Sequence, residues 1–164
     1  MRLRPATPAD FAFIRALVQK PDYALYLTDQ DEAALTRYTT SPDNGLLIWE
    51  TDQMPQAGFA LFANIGYPSG TVELRRLAVV QLGGGKGAAF LSVLLLYAFD
   101  TLGAARVWLD TSGHNLRAQR VYAKAGFTLE GRLRQHDYCP PLGKVVDTLL
   151  YGILRAEWQA TRQL

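Results

Sequence analysis

Three consecutive glycines at positions 83–85 separate a strand-like apolar run from a long helix-like apolar run. Glycine adopts positive φ without strain and leaves its N–H group uncovered by a side chain. The first N–H groups of a helix have no partner within that helix, and the helix dipole adds partial positive charge there. Lys86 adds a formal positive charge at the same place. The stretch therefore predicts a phosphate or pyrophosphate site, with a tight surface turn that binds nothing as the alternative.

Two familiar phosphate-binding motifs do not fit this turn. A Walker A loop needs Gly-x-x-x-x-Gly-Lys-Ser/Thr, but Val80 and Gly87 stand where its first glycine and its hydroxyl residue belong. The dinucleotide fingerprint is met only in a Gly/Ala variant, by Gly83, Gly85 and Ala88. No acidic residue follows at the position that would hold a ribose. The turn is therefore neither of these two nucleotide-binding loops.

A pair of polar residues that could contact a ligand lies further along the chain. Asn115 and Tyr122 are seven residues apart in a segment, 115–126, whose apolar residues recur at helical spacing and whose last residue is glycine. Two helical turns place both side chains on the same face. That face could present an amide and a phenol to a ligand. The alternatives are a simple N-cap for Asn115 and a core position for Tyr122.

Hydrophobic periodicity and turn residues predict the elements that position these side chains. Expected strands cover residues 1–7, 46–51, 58–65, 71–80, 106–110, 127–134 and 145–154. Expected helices cover residues 8–20, 29–38, 88–102 and 115–126, with a single helical turn from residue 155. A long polar, proline-containing loop is expected to join the last two strands. The strand–helix–strand unit after position 71 implies one parallel pair. The order β-α-α-β-β-β-α-β-α-β-β predicts an α+β (mixed α/β) domain with a mixed sheet and flanking helices.

Composition narrows the class of protein. The 164 residues suit a single domain, 1–164, and the 49% apolar and 20% charged fractions are those of an ordinary globular protein. The net charge of +2 does not favour nucleic acid or a membrane surface as partner. Cys139 is the only cysteine, and the N-terminus has no signal-peptide pattern. Both points favour a cytoplasmic location. His114 and His136 have no other metal-ligating residues at a suitable spacing, so no metal is expected.

Two segments together carry a family resemblance. LAVVQLGGGKGAA at 77–89, followed by NLRAQRVYAKAGF at 115–127, resembles the GNAT (GCN5-related) N-acetyltransferases. The resemblance extends from the first strand to about residue 154 and implies the GNAT-like seven-stranded mixed sheet. EGRLR at 130–134 and YGILRAEW at 151–158 are similar to the ribosomal-protein and N-terminal alanine acetyltransferase branches. One departure is Gly84, which stands where the family's acetyl-CoA motif has Arg or Gln.

The resemblance implies where acetyl-CoA, the expected co-substrate, would lie. Its pyrophosphate would bind the six backbone N–H groups of about residues 84–89, and its pantetheine would pair with the end of the central strand at residues 77–79. The N–H of Val79 would stabilise the oxyanion, and Asn115 would hold the cofactor by its amide. The implied cofactor-binding residues are Leu77, Ala78, Val79, Gly84, Gly85, Lys86, Gly87, Ala88, Ala89, Asn115 and Tyr122.

The resemblance also implies catalytic roles in direct transfer to a primary amine within a ternary complex. Tyr122 would protonate the leaving thiolate. A phenol titrates near pH 10 and a thiol near 8.5, so this transfer is expected only as the thiolate forms. Because an alkylamine is mostly protonated at pH 7, a base or a desolvating pocket must free its lone pair. Glu73 and Asp110 are the candidates for the base, with Glu73 slightly favoured and a solvated carboxylate as the alternative for each.

The sequence does not determine which amine is the acceptor. A protein N-terminus, a small amine, an aminoglycoside-like molecule and an amino acid are all compatible with the sequence. Residues 22–31 and 135–144 are expected to line its site, and their tyrosines and few charges suit a moderately apolar acceptor. Arg117, Arg120 and Lys124 form a basic stripe that is a solvated face, a contact for the adenosine 3′-phosphate or a contact for an acidic partner.

Two rival functions remain. The Gly84 departure leaves room for a non-catalytic acyl-CoA sensor or interaction module on the same fold. An acyl donor longer than acetyl is the other alternative. A homodimer is the assembly that the resemblance suggests.

Overall fold

The computed structural model describes residues 1–162; positions 163–164 of the predicted single domain lie outside the described residues. The strands are β1 (Arg2–Pro5), β2 (Gly45–Thr51), β3 (Met54–Ala63), β4 (Thr71–Val79), β5 (Arg106–Ser112), β6 (Thr128–Cys139) and β7 (Lys144–Leu154). The α-helices are α1 (Phe11–Val18), α2 (Pro21–Ala24), α3 (Glu32–Thr40), α4 (Lys86–Leu96), α5 (Leu116–Lys124) and α6 (Arg155–Thr161). A π-helical turn (Tyr97–Thr101) extends α4.

The strands form one sheet of seven in the order β1-β2-β3-β4-β5-β7-β6. Strands β4 and β5 run parallel, and the other neighbours run antiparallel. The predicted mixed sheet, and the parallel pair on either side of the glycine turn, are confirmed. The parallel pair therefore sits at the centre of the sheet, where strand ends gather ligands.

Helices cover both faces of the sheet. Helices α1, α2 and α3 pack on one face, around a core that includes Ile14, Leu35 and Ile48. Helices α4, α5 and α6 pack on the other, where the Trp49 and Phe90 rings stack with their centroids 4.7 Å apart. This packing holds the first turn of α4 against the sheet next to β4. No helix in the described part of the chain is long and apolar enough to cross a membrane.

Several boundaries differ from the sequence-based expectation. Helix α3 begins at Glu32 because the Asp31 side chain caps it, accepting from the Ala34 N–H at 2.8 Å. The expected long loop before β7 is largely strand, since β6 runs to Cys139. A register shift between Leu133 and Asp137 absorbs the irregularity within this exposed edge strand. The single C-terminal turn is a helix that reaches Thr161.

Candidate active site

A wedge opens between β4 and β5. The two strands pair only at residues 71–73 and 106–108. Further along, β4 stays with β3 and β5 stays with β7, so the two strands diverge. A bulge at Arg75 interrupts the β3–β4 register at the point where the divergence begins. The resulting cleft has a volume of about 620 Å³ and is bounded by the end of β4, the glycine turn and one side of α5 along its whole length.

The glycine turn has the backbone that only glycine adopts without strain. Gly83, Gly84 and Gly85 have φ angles of +83°, +55° and +75°. Gly85 is the N-cap of α4, which therefore begins at Lys86 and not at residue 88 as expected. Because all three residues have left-handed backbone conformations, the chain turns sharply and the N-terminus of α4 lies at the mouth of the cleft.

Some of the backbone donors in this turn are used internally. The Lys86 N–H donates to the Gly83 carbonyl at 3.1 Å, and the Ala89 N–H donates to the Gly85 carbonyl at 2.9 Å. Among residues 84–89, the amides that have no backbone acceptor within residues 1–162 are those of Gly84, Gly85, Gly87 and Ala88. The structure thus narrows the predicted set of six donors to four. Lys86 itself lines the cleft.

Gly87 has no structural reason to be glycine. A Cβ placed on it would meet no atom within 4 Å, and its φ is not left-handed. Glycine within a helix is less favourable than alanine by about 1 kcal/mol. The bare backbone here lines the cleft. A ligand that approaches the helix end closely would account for it, which is the fit that a pyrophosphate requires.

Asn115 and Tyr122 both face the cleft, as the seven-residue spacing predicts. Asn115 is the N-cap of α5, with its Oδ1 accepting from the Ala118 N–H at 3.2 Å. Its amide nitrogen has no protein acceptor in the described part of the chain, so capping and ligand binding are compatible. The Tyr122 ring is buried against Phe127 and Tyr151, at centroid distances of 6.0 and 5.7 Å.

The surroundings of Tyr122 keep its phenol protonated. Burial raises the pKa of Tyr122 well above its usual range, and the nearby Asp110 carboxylate adds to the rise. Its hydroxyl makes no hydrogen bond to another side chain or backbone group among residues 1–162. A neutral phenol that lines a cleft with an unused hydroxyl is able to give a proton to a ligand. The same dry surroundings also disfavour a free thiolate, which makes proton transfer to it easier.

Val79 is the residue whose N–H was expected to hold the oxyanion. The N–H of the next residue, Val80, donates to the Ala57 carbonyl on the β3 side at 2.9 Å. Successive backbone groups alternate between the two edges of a strand, so the N–H and C=O of Val79 point into the wedge. Both are engaged by Tyr23: its hydroxyl accepts from the Val79 N–H at 2.9 Å and donates to the Val79 C=O at 2.7 Å. The expected donor is correctly oriented, and it already has a partner.

The two candidate bases occupy different surroundings. Glu73 is buried beside the cleft wall and accepts from Arg75 at 2.6 Å, with the Asn64 amide at 3.5 Å. Asp110 lines the cleft itself. Desolvation raises the pKa of Asp110, and repulsion from Glu73 and Asp137 raises it further. Asp110 lines the cleft and pairs with no side chain among residues 1–162, whereas Glu73 is held by Arg75, so we favour Asp110 as the base to be tested.

Replacement of Asp110 by asparagine tests this assignment. We expect kcat/KM for an amine to fall by about 10²-fold and the acid limb of its pH profile to disappear. Since the folded pKa of Asp110 is raised, its charge opposes folding above that pKa and has no effect below the unfolded value near 3.9. The variant should therefore gain thermal stability at pH 7 and none near pH 3. Glu73→Gln is the matched control, and an acid limb lost only in that variant would contradict the assignment.

Several cleft residues were not predicted from the sequence. The cleft wall also includes Arg76, Asp137 and Thr148, and the Thr148 hydroxyl donates to Asp137. Asp137 falls within the segment expected to line the acceptor site, but nothing in its neighbours indicated that β6 would present it. The basic stripe at Arg117, Arg120 and Lys124 borders the cleft. Within residues 1–162 no cluster of His, Cys, Asp and Glu is arranged to hold a metal ion.

Comparison with known proteins decides the family. The profile described as "Acetyltransferase (GNAT) domain" matches residues 1–128. The chain belongs to the GNAT acetyltransferase family. An uncharacterized N-acetyltransferase of Mycobacterium tuberculosis is 34% identical over 122 residues, which is 73% of this chain and 68% of that relative. A relative from Mycobacterium bovis has the same identity and coverage. Like these relatives, the GNAT protein described here is an N-acetyltransferase.

Solved structures share the fold of this GNAT protein. Spermidine N-acetyltransferase from Vibrio cholerae, in complex with CoA and spermine, superposes with a TM-score of 0.86 at 20% identity, over 96% of this chain and 97% of that one. A dodecameric structure of the same enzyme gives a TM-score of 0.78 at 20% identity, over 96% and 95% of the two chains. At this identity the likeness establishes the GNAT fold and leaves the acceptor open. The ribosomal-protein branch stays a prediction.

Proposed function

We propose that this N-acetyltransferase uses acetyl-CoA as its donor and acetylates a primary amine by direct attack in a ternary complex. The wedge between β4 and β5 carries the proposal. It has free helix-end amides at one end and an unpaired phenol and carboxylate further in. In the Vibrio cholerae neighbour, which has the same fold, CoA and spermine are bound together.

The donor would be held by backbone groups. The amides of Gly84, Gly85, Gly87 and Ala88 suit a pyrophosphate, and Lys86 adds charge. The edge of β4 at residues 77–79 pairs with no strand on the β5 side, where only Tyr23 contacts the Val79 backbone, and it suits an extended pantetheine arm. The Arg117, Arg120 and Lys124 stripe borders the same end and suits the 3′-phosphate.

The proton balance uses two side chains. The bound ammonium first loses one proton to solvent, which frees its lone pair. Asp110 then accepts the second proton that the amine nitrogen loses as its bond to the acetyl carbon forms. The N–H of Val79 stabilises the oxyanion. When the carbon–sulfur bond breaks, Tyr122 gives its proton to the thiolate, and solvent later restores the phenol and the carboxylate to their starting states.

The acceptor end of the cleft is apolar with two carboxylates. Leu25, Leu27 and Val146 line it together with Asp110 and Asp137. This combination suits a cationic amine on an apolar body. A small amine satisfies it, and so does a protein N-terminus presented on an extended peptide.

Release of CoA tests the proposal and separates its alternatives. Acetyl-CoA is incubated with the protein and, in turn, spermidine, a simple alkylamine and a peptide with an N-terminal alanine. We expect CoA release that saturates with at least one amine, and its rate ranks the acceptors. Release at the same rate with and without amine would contradict the proposal and favour the non-catalytic acyl-CoA sensor. Propionyl-CoA in place of acetyl-CoA tests the longer acyl donor.

Three further expectations stay predictions. Light scattering on the purified protein measures its molar mass and tests the predicted homodimer. Cytoplasmic location is measured by fractionation of the source cells. The extent of the single domain, 1–164, is measured by limited proteolysis.

A further inference from the structure

The Tyr23 hydroxyl occupies the backbone position that the acyl group needs. Tyr23 is buried, on the short helix α2, and its hydroxyl bridges the N–H and C=O of Val79. These are the two groups of β4 that point into the wedge at its C-terminal end. A hydroxyl that accepts and donates in this way satisfies the strand edge as a neighbouring strand would.

We propose that Tyr23 is an internal ligand of the Val79 backbone that competes with the acetyl thioester and must leave before acetyl-CoA is bound productively. This inference rests on the proposed function, because it takes the Val79 N–H as the oxyanion donor. The N–H of Val79 has one hydrogen. It cannot bond well to the phenol oxygen and to the thioester oxygen at once.

The hydrogen bonds between Tyr23 and the Val79 backbone can be replaced by hydrogen bonds to a ligand. Its burial raises the pKa of the phenol, which stays neutral and able both to donate and to accept. Arg117 lies over its ring, with the guanidinium carbon 5.9 Å from the centroid. Arg117 and Asp22 form an ion pair at 4.0 Å, and both side chains are substantially exposed. Exposed pairs of this kind contribute little, so they do not prevent the Tyr23 side chain from rotating away.

The hydrogen bonds from Tyr23 also satisfy the Val79 N–H and C=O when no substrate is bound. A buried, unpaired backbone N–H and C=O destabilise a fold. Tyr23 removes that penalty when no substrate is bound, and the thioester removes it when substrate is bound. Tyr23 thereby sets the affinity for the acyl donor and takes no part in the chemistry.

Replacement of Tyr23 by phenylalanine tests the competition. We expect the Kd for acetyl-CoA, measured by calorimetry, to fall by about tenfold, because two hydrogen bonds no longer have to be broken. Free CoA has no thioester oxygen, so its affinity should rise by a clearly smaller factor. Tyr97→Phe is the matched control: the Tyr97 ring packs on Phe62 with the centroids 5.8 Å apart, and it does not line the cleft. Its Kd for acetyl-CoA should stay within about twofold of the native value.

The outcomes are distinguishable from failure of the proposed function. If neither the native protein nor the Tyr23→Phe variant binds acetyl-CoA, the proposed function is wrong. If the native protein binds and the variant binds equally or more weakly, or if CoA and acetyl-CoA tighten equally, Tyr23 does not compete for the Val79 N–H.

A second measurement does not depend on the folding of that variant. With 3-fluorotyrosine at position 23, the ¹⁹F signal should move when acetyl-CoA saturates the protein, because the ring leaves its buried position. A signal that stays unchanged at saturation would overturn the inference.

Discussion

Tyr122→Phe is expected to lower kcat by about 10²-fold while the Kd for acetyl-CoA stays within about twofold. The Tyr122 hydroxyl lines the cleft and is not used by any other group in the described part of the chain. Its loss therefore removes a proton donor without leaving a protein group unpaired. Stopped-flow detection of CoA release at saturating substrates measures kcat, and calorimetry measures Kd.

Tyr151→Phe is the matched control for this variant. Tyr151 packs on Tyr122, with its ring centroid 5.7 Å away, and does not line the cleft. Its replacement should change kcat by less than about threefold. If both variants keep the native kcat, or if the Tyr122 variant loses kcat only through weaker acetyl-CoA binding, the acid role is wrong.

Gly87→Leu is expected to weaken acetyl-CoA binding by about 10²-fold while the free energy of unfolding stays the same or rises by up to about 1 kcal/mol. A Cβ at this position would meet no protein atom within 4 Å. It would stand where a pyrophosphate has to contact the helix-end amides, and loss of one or two such charge-assisted hydrogen bonds accounts for the factor. Calorimetry measures the Kd, and thermal or denaturant unfolding measures the stability.

Ser92→Leu is the matched control on the same helix. Ser92 is exposed on α4 outside the cleft, so the same side chain placed there should leave acetyl-CoA binding unchanged. An equal loss of affinity in both variants, or a loss of stability in the Gly87 variant, would mean that Gly87 is retained for packing and not for a ligand.

The sequence was sufficient for the elements whose signals are local. Three glycines after an apolar run predicted the turn before α4, and their positive φ angles confirm it. The seven-residue spacing of Asn115 and Tyr122 correctly placed both side chains on the cleft side of α5. Such features depend on residues within two helical turns of one another.

Features that depend on distant contacts were missed. The contact between Tyr23 and Val79 joins residues that are 56 apart in the chain, and no local sequence pattern predicts it. The ion pair between Glu73 and Arg75 joins residues only two apart, but it lies at the bulge that β4 forms against β3 and was not predicted. The bulge at Arg75 shifts the alternation of β4 by one residue, and a bulge of this kind leaves no clear trace in hydrophobic periodicity. The extension of β6 depends likewise on its pairing with β7.

Calorimetric titration of the purified native protein with acetyl-CoA tests the central claim most directly. The claim is that the wedge between β4 and β5, with the free amides of α4, is an acetyl-CoA site. Saturable binding with one molecule per chain, reduced in Gly87→Leu and retained in Ser92→Leu, is the predicted result. No binding up to millimolar acetyl-CoA would contradict the account, and the glycine turn would then be only a turn.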